Sequence, residues 1–481
     1  MAGSRGPTYR FGPFALDANR RVLTHGDTRI WLAQRQINVL LSLIEHDGQC
    51  VTKDDLIAAA WEGAAVTDNS IVQAVAKIRE ALAEHSSGNT YIETVPREGY
   101  RFVAPVEREE SHLAAADVDA LLSPFMALTD SRVAIESLTL DGIARARHLL
   151  EGALGVHERF EGTMIAMASA LFLGFESTRA DAEAPVELLT RTEKLARVAC
   201  AIRPQSGHAW AILGVVRYRL GDTRGALAAG RKAVDLEPGR WLHQLPLAYV
   251  SAGEERLAAA MRTLELCPGV AFAHYFAATV YVGRDMRDAA LEQARLGCCA
   301  QDAPRPGRLP AVGLHWLAGA ILDSMGREDE ALVEFERELE FEPVKHVYGR
   351  EACANSWYGI GAIHLRHGRF TEATEAFEEV LCRVPTHRRA LAGLRRGPTA
   401  GGRVDANQAG TLASLPAVLD LAVTFALDGN HEEAARVCAT ALEAAEPGSA
   451  GWQLPLDPIL RPTMHPDTWA APLALLRERA R

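Results

Sequence analysis

VTDNSIVQAVAKIREAL, residues 66–82, followed eight residues later by YIETVPREGYRF, residues 91–102, decides how the front of the chain is read. At 100° per residue the first stretch sets Ile71, Val75, Ile78 and Leu82 on one narrow face and Ser70, Gln73, Lys77 and Glu80 on the opposite one. One face packs and the other is presented. The helix is predicted to start at Thr67 or Asp68, both good N-caps, and to run to about Glu84. The second stretch reads as two short strands, Tyr91–Val95 and Tyr100–Val103, around Pro96-Arg97-Glu98-Gly99, which makes a hairpin. Upstream, short strands are predicted over Tyr9–Leu16, Arg21–Thr24 and Thr28–Leu32, with His25-Gly26-Asp27 as the turn between the last two. Ile37, Leu40, Leu41 and Ile44 then form a helical face that Gly48 ends. A second helix starts on the pair Thr52 and Asp55, buries Leu56, Ile57, Ala60 and Trp61, and breaks at Gly63.

Strands, three helices and a hairpin are the order of a winged helix-turn-helix. Over residues 8–106 these motifs resemble the OmpR/PhoB-type DNA-binding domain, and the two quoted stretches are most similar to its CadC/ToxR/HilA-like branch. The resemblance implies that the third helix enters the major groove of double-stranded DNA and that the wing touches the adjacent minor groove or phosphates. Carried over by position, Gln73 and Lys77 face base edges, Asn69 and Ser70 sit at the groove-facing helix start, and Arg79 reaches the DNA backbone. Trp61 and Thr94 lie near phosphates and Arg97 stands at the wing tip. For Trp61, burial in the core is the competing role, because aromatic burial dominates its energetics. Many response regulators have Arg directly after the Thr-Val of the wing; this chain has Pro96 there, and its Arg comes one place later.

Farther along, Pro204 and Pro238 are 34 residues apart, the period of a tetratricopeptide repeat, a helix–turn–helix unit that buries its apolar face only against its neighbours. Trp210, Leu213, Gly214, Ala226, Ala233 and Pro238 stand at that repeat's offsets, with Gly221-Asp222 between the helices. The offsets recur at His315, Ala318, Gly319, Ala331, Phe335 and Pro343, and at Trp357, Ile360, Gly361, Ala373, Phe377 and Pro385. Weaker units end at Pro204, Pro268, near Pro304 and at Pro447, giving about seven units of irregular length. Small residues let helices approach, large ones fill the space between, and Pro stops the second helix. The expected fold is therefore mainly α: an N-terminal winged helix-turn-helix (α+β), then an α-solenoid of tetratricopeptide-like repeats. The expected organisation is 8–106 as the winged helix, 107–180 as a linker and leading helices, 181–450 as the solenoid, and 451–481 as a Pro-rich extended wrap ending in a capping helix, Trp469–Arg479. Residues 395–411 read as a Gly-rich loop. First helices supply a solenoid's concave face, so His208, Tyr218, Arg219, Trp316, Asp323, Asn355, Tyr358 and Arg366 are the candidates to line a partner groove.

Composition narrows the function. Of 481 residues, 48 % are hydrophobic and 23 % charged, ordinary for a globular chain. The longest apolar run, Met164–Phe175, falls short of the ~20 residues a membrane span needs, and the N-terminus carries no apolar signal segment. No membrane association and a cytoplasmic location are expected. Net charge is −11; residues 1–106 hold 11 basic against 12 acidic side chains, and the rest hold 40 against 50. A DNA-reading surface must then be a local patch. Eight cysteines without a CxxC pair argue against a disulfide framework or zinc knuckle. Cys298-Cys299 are adjacent, and His364 and His367 lack a third ligand nearby, so no metal or cofactor is expected. The usual nucleotide, zinc-protease and hydrolase motifs are missing, which argues against an enzyme. With few residues before the winged helix, no phospho-accepting receiver domain is expected. The expected function is a DNA-binding transcriptional activator, of the virulence-regulator kind by resemblance. Its expected partners are promoter DNA, RNA polymerase, a protein or small effector on the solenoid, and a second copy of itself. The alternative is an adaptor whose winged helix binds protein instead of DNA.

Overall fold

The computed structural model describes residues 7–26, 28–61, 68–84, 90–109, 115–156, 160–303, 309–395, 415–445 and 451–481, without the side chains at 68, 115–124 and 155–156. Asp27 of the expected turn, the Gly63 break, the Thr67 helix start, Pro304, Pro447 and nearly all of the 395–411 loop lie outside them. Packing separates the chain into two compact units, Met1–Leu121 and Leu122–Arg481.

In the first unit, β1 (Thr8–Phe11), β2 (Phe14–Asp17), β3 (Val22–His25) and β4 (Thr28–Ile30) precede α1 (Gln34–Glu45), β5 (Cys50–Thr52), α2 (Lys53–Trp61) and α3 (Asp68–Ala83). The wing strands β6 (Ile92–Val95) and β7 (Gly99–Phe102) and a last strand, β8 (Glu107–Glu109), complete it. The two antiparallel sheets run β4-β3-β2-β1-β8 and β5-β7-β6. Four details depart from expectation. Tyr9–Leu16 is two strands, because Gly12-Pro13 turns the chain so that Phe11 pairs with Phe14. Gly12 has φ +53° and lies so close to Tyr91 that a Cβ there would meet its hydroxyl at 2.8 Å. The strand from Thr28 stops at Ile30, leaving Trp31 78 % exposed. Cys50–Thr52, unread in the sequence, pairs with β7, and residues 107–109, expected as linker, pair with β1. The Thr52 and Asp55 start to α2 is present: the Asp55 amide donates to Thr52 Oγ1 at 3.2 Å, and that hydroxyl donates to Asp55 Oδ2 at 2.6 Å. The core gathers Phe11, Phe14, Tyr91 and Phe102 under α1, with Phe11 and Phe102 edge to face at 5.1 Å.

The second unit is helical: α4 (Ala115–Glu136), which belongs to it from Leu122 on, is followed by α5 (Leu140–Val156), α6 (Glu161–Thr178), α7 (Val186–Ile202), α8 (Gly207–Arg219), α9 (Thr223–Leu236), α10 (Trp241–Val250), α11 (Gly253–Leu266), α12 (Ala271–Gly283) and α13 (Arg287–Asp302). Then come α14 (Leu314–Ser324), α15 (Glu328–Leu339), α16 (Gly349–Arg366), α17 (Phe370–Arg383), α18 (Arg388–Leu394), α19 (Leu415–Leu427), α20 (His431–Ala444) and α21 (Ala470–Arg479). Among the described residues, six consecutive hairpins run from α6/α7 to α16/α17, and α19/α20 forms a seventh. Asp222 caps α9 as the turn residue, accepting from the Gly225 amide at 2.8 Å. Met164–Phe175 lies in α6, mostly buried. The helices coil until the start of the unit meets α16: Arg179 forks onto both Glu351 oxygens at 2.8 and 2.7 Å, and Arg350 reaches Asp181 at 2.5 Å. The backbone joins there too, with the Leu140 amide on the Lys345 carbonyl at 3.0 Å and the Val347 amide on that of Leu138 at 2.8 Å.

The tail is not extended. Its prolines start two short 3₁₀ turns, Leu454–Leu456 and Pro462–Met464, which turn Leu454, Leu456 and Leu460 inward. Beyond the fully buried Trp469, α21 packs on α20 and also crosses back to α12. There Arg284 donates to the Ala480 carbonyl at 2.8 Å and the Glu254 amide to that of Arg481 at 3.0 Å, so the last helix does more than cap the last repeat. Among the described residues no helix is long and apolar enough to cross a membrane.

Candidate nucleic-acid interface

Helix α3 folds as its periodicity predicts. Ile71, Val75, Ile78 and Leu82 are buried against Leu40, Leu43 and Leu56, while Asn69, Gln73, Lys77 and Glu80 are exposed and Ser70 is half-buried. Lys77 is already paired: its Nζ donates to Glu80 Oε2 at 2.6 Å, and this bond raises the ammonium pKa above its usual value. Among the described residues the presented face therefore sets Lys77 beside two anions, Glu80 and Glu84.

Two sequence-predicted contacts are placed differently. Trp61 is only 8 % exposed and belongs to the core, where ring burial outweighs any contact its edge would make with phosphate. Arg79 turns toward the wing: Nε and Nη2 donate to the Ile92 carbonyl at 3.1 and 2.8 Å, and Nη2 also donates to Thr94 Oγ1 at 3.0 Å. Its guanidinium lies 5.9 Å from the centre of the Tyr100 ring. Arg79 thus ties the helix to the hairpin. The wing itself turns through Pro96-Arg97-Glu98, the Glu98 amide donating to the Val95 carbonyl at 3.2 Å. Pro96 at the first corner and a left-handed residue at the second is type II turn geometry, and Arg97, with φ +72°, occupies a corner that favours Gly or Asn. Its exposed side chain stands at the tip. Gly99 follows because β5 passes so close that a Cβ would run into the Val51 carbonyl. Sequence reading missed Trp31, on whose exposed ring Arg29 stacks at 4.1 Å; strand alternation, with Ile30 inward, was the available signal.

In the second unit the groove candidates divide. His208, Trp316 and Asn355 line a cavity of about 550 Å³. Burial, with His243 and Arg132 nearby, lowers the His208 pKa to about 4. Arg219 donates to Glu176 at 2.8 Å, and Tyr218 meets the Tyr249 ring edge-on at 5.5 Å. Tyr358, Asp323 and Arg366 do not line an open groove, because the tail covers them. Tyr358 is 3 % exposed, with its hydroxyl 3.5 Å from Asp457. Arg366 pairs with Asp323 at 2.5 Å and donates to the Pro458 carbonyl at 2.8 Å. Cys298, His315 and Glu334 lie close enough to hold a metal ion, yet both His315 nitrogens already have carboxylate partners, Glu334 at 2.6 Å and Asp302 at 2.9 Å. The cluster is a buried ion-pair knot. His364 accepts from Arg369 at 2.8 Å and His367 pairs with Glu328 at 2.6 Å.

The sequence model of the family described as "Transcriptional regulatory protein, C terminal" matches residues 27–102. The chain is 27 % identical over 101 residues to the transcriptional activator CadC of Escherichia coli K12, covering 21 % of this chain and 20 % of that protein. It is 24 % identical over 143 residues to the cholera toxin homolog transcriptional activator of Vibrio parahaemolyticus, covering 25 % and 49 %. With the regulator HilA of Salmonella typhimurium it shares 30 % over 96 residues, covering 20 % and 17 %. The matches thus span between 17 % and 49 % of these relatives' own lengths. Similar solved structures include the DNA-binding domain of E. coli CadC (26 % identity, TM-score 0.20, 22 % of this chain and 98 % of that one). Another is TTC0263, a tetratricopeptide-repeat protein of Thermus thermophilus (20 % identity, TM-score 0.32, 41 % and 98 %).

Proposed function

We propose that this chain, whose N-terminal unit carries an OmpR/PhoB-type DNA-binding domain of the CadC/ToxR/HilA kind and whose second unit is a tetratricopeptide-like helical domain, is a sequence-specific transcriptional activator. The observation that carries the reading is α3, which presents Asn69, Gln73 and Lys77 opposite its buried face, beside a wing that raises Arg97. Gln73 and Lys77 read base edges in the major groove, and Asn69 and Ser70 sit at the groove-facing helix start. Thr94 and Arg97 meet phosphate or the minor groove from the wing. Arg79 acts as a positioning residue, holding Thr94 and the wing strand in register with α3.

In this reading residues 8–106 are the reader, 107–180 lead into the helices, 181–450 form the solenoid and 451–481 its wrap. The protein works in the cytoplasm on promoter DNA, with RNA polymerase as its downstream partner. The solenoid receives an effector, a protein or a second copy, with His208, Trp316 and Asn355 at the receiving surface. The relatives are regulators of transcription, which supports a role without catalysis.

The test passes sheared genomic DNA over the full-length protein and its Lys77→Glu variant at roughly 150 mM salt and sequences what each retains. Promoter regions enriched by the wild type alone support the activator. Folded protein that enriches nothing overturns it in favour of the adaptor, which the near-neutral charge of residues 1–106 would suit.

A further inference from the structure

The cavity of about 550 Å³ is walled by α4 and by the first helix of each hairpin from α6 to α16. Its size is that of a site for a drug-sized molecule. Most of the lining is hydrocarbon or aromatic, with Ile165, Phe172, Ile212, Leu245 and Phe276 among the wall residues.

Of the charged groups in its lining, Arg132, Glu136 and Arg240 are exposed to water, and the more deeply placed ones cancel one another. Glu176, whose side chain is fully buried, takes Arg179 at 2.9 Å and Arg219 at 2.7 Å, and Arg179 spends its other donors on Glu351. Two guanidinium groups thus face two carboxylates. A charged ligand settling there would have to break a buried pair and leave a charge uncompensated. The polar groups suited to a guest are neutral: among the lining residues, Asn355, Tyr275 and Tyr348, whereas the Tyr249 hydroxyl already donates to Glu176 at 3.3 Å. Burial raises the Tyr275 and Tyr348 phenols, so they stay protonated donors.

We infer that this cavity is a binding site for an uncharged, largely apolar small molecule bearing an oxygen acceptor for the tyrosine hydroxyls. The inference deepens the effector role proposed for the solenoid, and its test reads ligand binding alone, so it stands or falls separately from DNA retention.

The probe is N-phenylnaphthylamine, a neutral dye whose fluorescence rises in apolar surroundings, titrated into the full-length chain. Saturable binding of one equivalent is expected. Dodecanol should displace the dye, and dodecanoate should fail to do so at about pH 8, where its carboxylate is ionised. Leu245→Trp and Ile212→Trp, which fill the cavity, should each weaken dye binding roughly tenfold. Val333→Trp, at a position 59 % exposed on α15, should leave it unchanged. Circular dichroism melts identify which variants are folded. Absence of saturable binding, or wild-type binding by a folded cavity-filling variant, overturns the site. Displacement by dodecanoate as effective as by dodecanol overturns the ligand class.

Discussion

Lys77 and Glu80 lie one helical turn apart on α3, so a phosphate or base edge approaching the ammonium competes with a carboxylate 2.6 Å away. Glu80→Gln is therefore expected to tighten binding to all DNA, and Lys77→Glu to weaken it. Binding isotherms at several salt concentrations check both, and an affinity indifferent to Glu80→Gln would remove Lys77 from the interface. In the wing, Gly99→Ala sets a methyl into the Val51 carbonyl. A loss of about 1–3 kcal/mol in the denaturant stability of the first unit is expected; an unchanged midpoint would mean that β5 and β7 separate without cost. At this scale the presented face of α3 was legible because one helix's periodicity assigns its own two sides. The burial of Trp61 was legible too, from its place on the apolar side of α2, but the fate of Arg79 was not, because it depends on a partner distant in sequence, the Ile92 carbonyl.

Among the elements, α14 shows how buried charge can hold a helix end. Glu338, on α15 and fully buried, accepts from the amides of Gly313 at 2.7 Å, His315 at 3.1 Å and Trp316 at 3.3 Å, and from Gln301 at 3.2 Å. Its carboxylate stands at the positive end of α14 and satisfies amides that otherwise lack partners. Glu338→Ala should cost about 3 kcal/mol in chemical unfolding of the second unit. Next to it, burial lowers the His315 pKa, but the bonds to Glu334 and Asp302 outweigh burial and leave it raised above 6.5. A raised folded pKa gives stability that is present below the unfolded value and lost as pH rises through the folded one. His315→Gln should accordingly destabilise the protein more at about pH 6 than at about pH 8, measured by thermal melting; equal losses would contradict a charged His315. The helices themselves were readable from Pro, Gly and Ala at fixed offsets. Strands β5 and β8 were not, since three residues are too few to display a period, and in β8 all three are exposed.

Across the whole molecule, the repeat count was legible in the sequence and the closure was not. A repeat motif encodes how each hairpin meets the next, whereas Arg179 and Glu351 meet across 172 residues. The tail was read as a wrap, and its prolines do end helical structure, but nothing local announced that it would bury Trp469 and cover Tyr358 and Arg366. Removal of residues 451–481 should strip the cover from α19 and α20, raising hydrogen exchange over 415–445 to that of an unprotected segment. Retained protection there would show that the seventh hairpin stands without the tail.

The return of α21 to α12 has a dynamic consequence. A linear stack of repeats is quasi-one-dimensional and frays from its free ends, its stability adding up unit by unit. With one end fastened to α16 and the other to α12, this stack is looped back on itself, and neither terminus offers an easy place to begin unravelling. Unfolding must release a latch before it can unzip, so the second unit should melt as a single cooperative body.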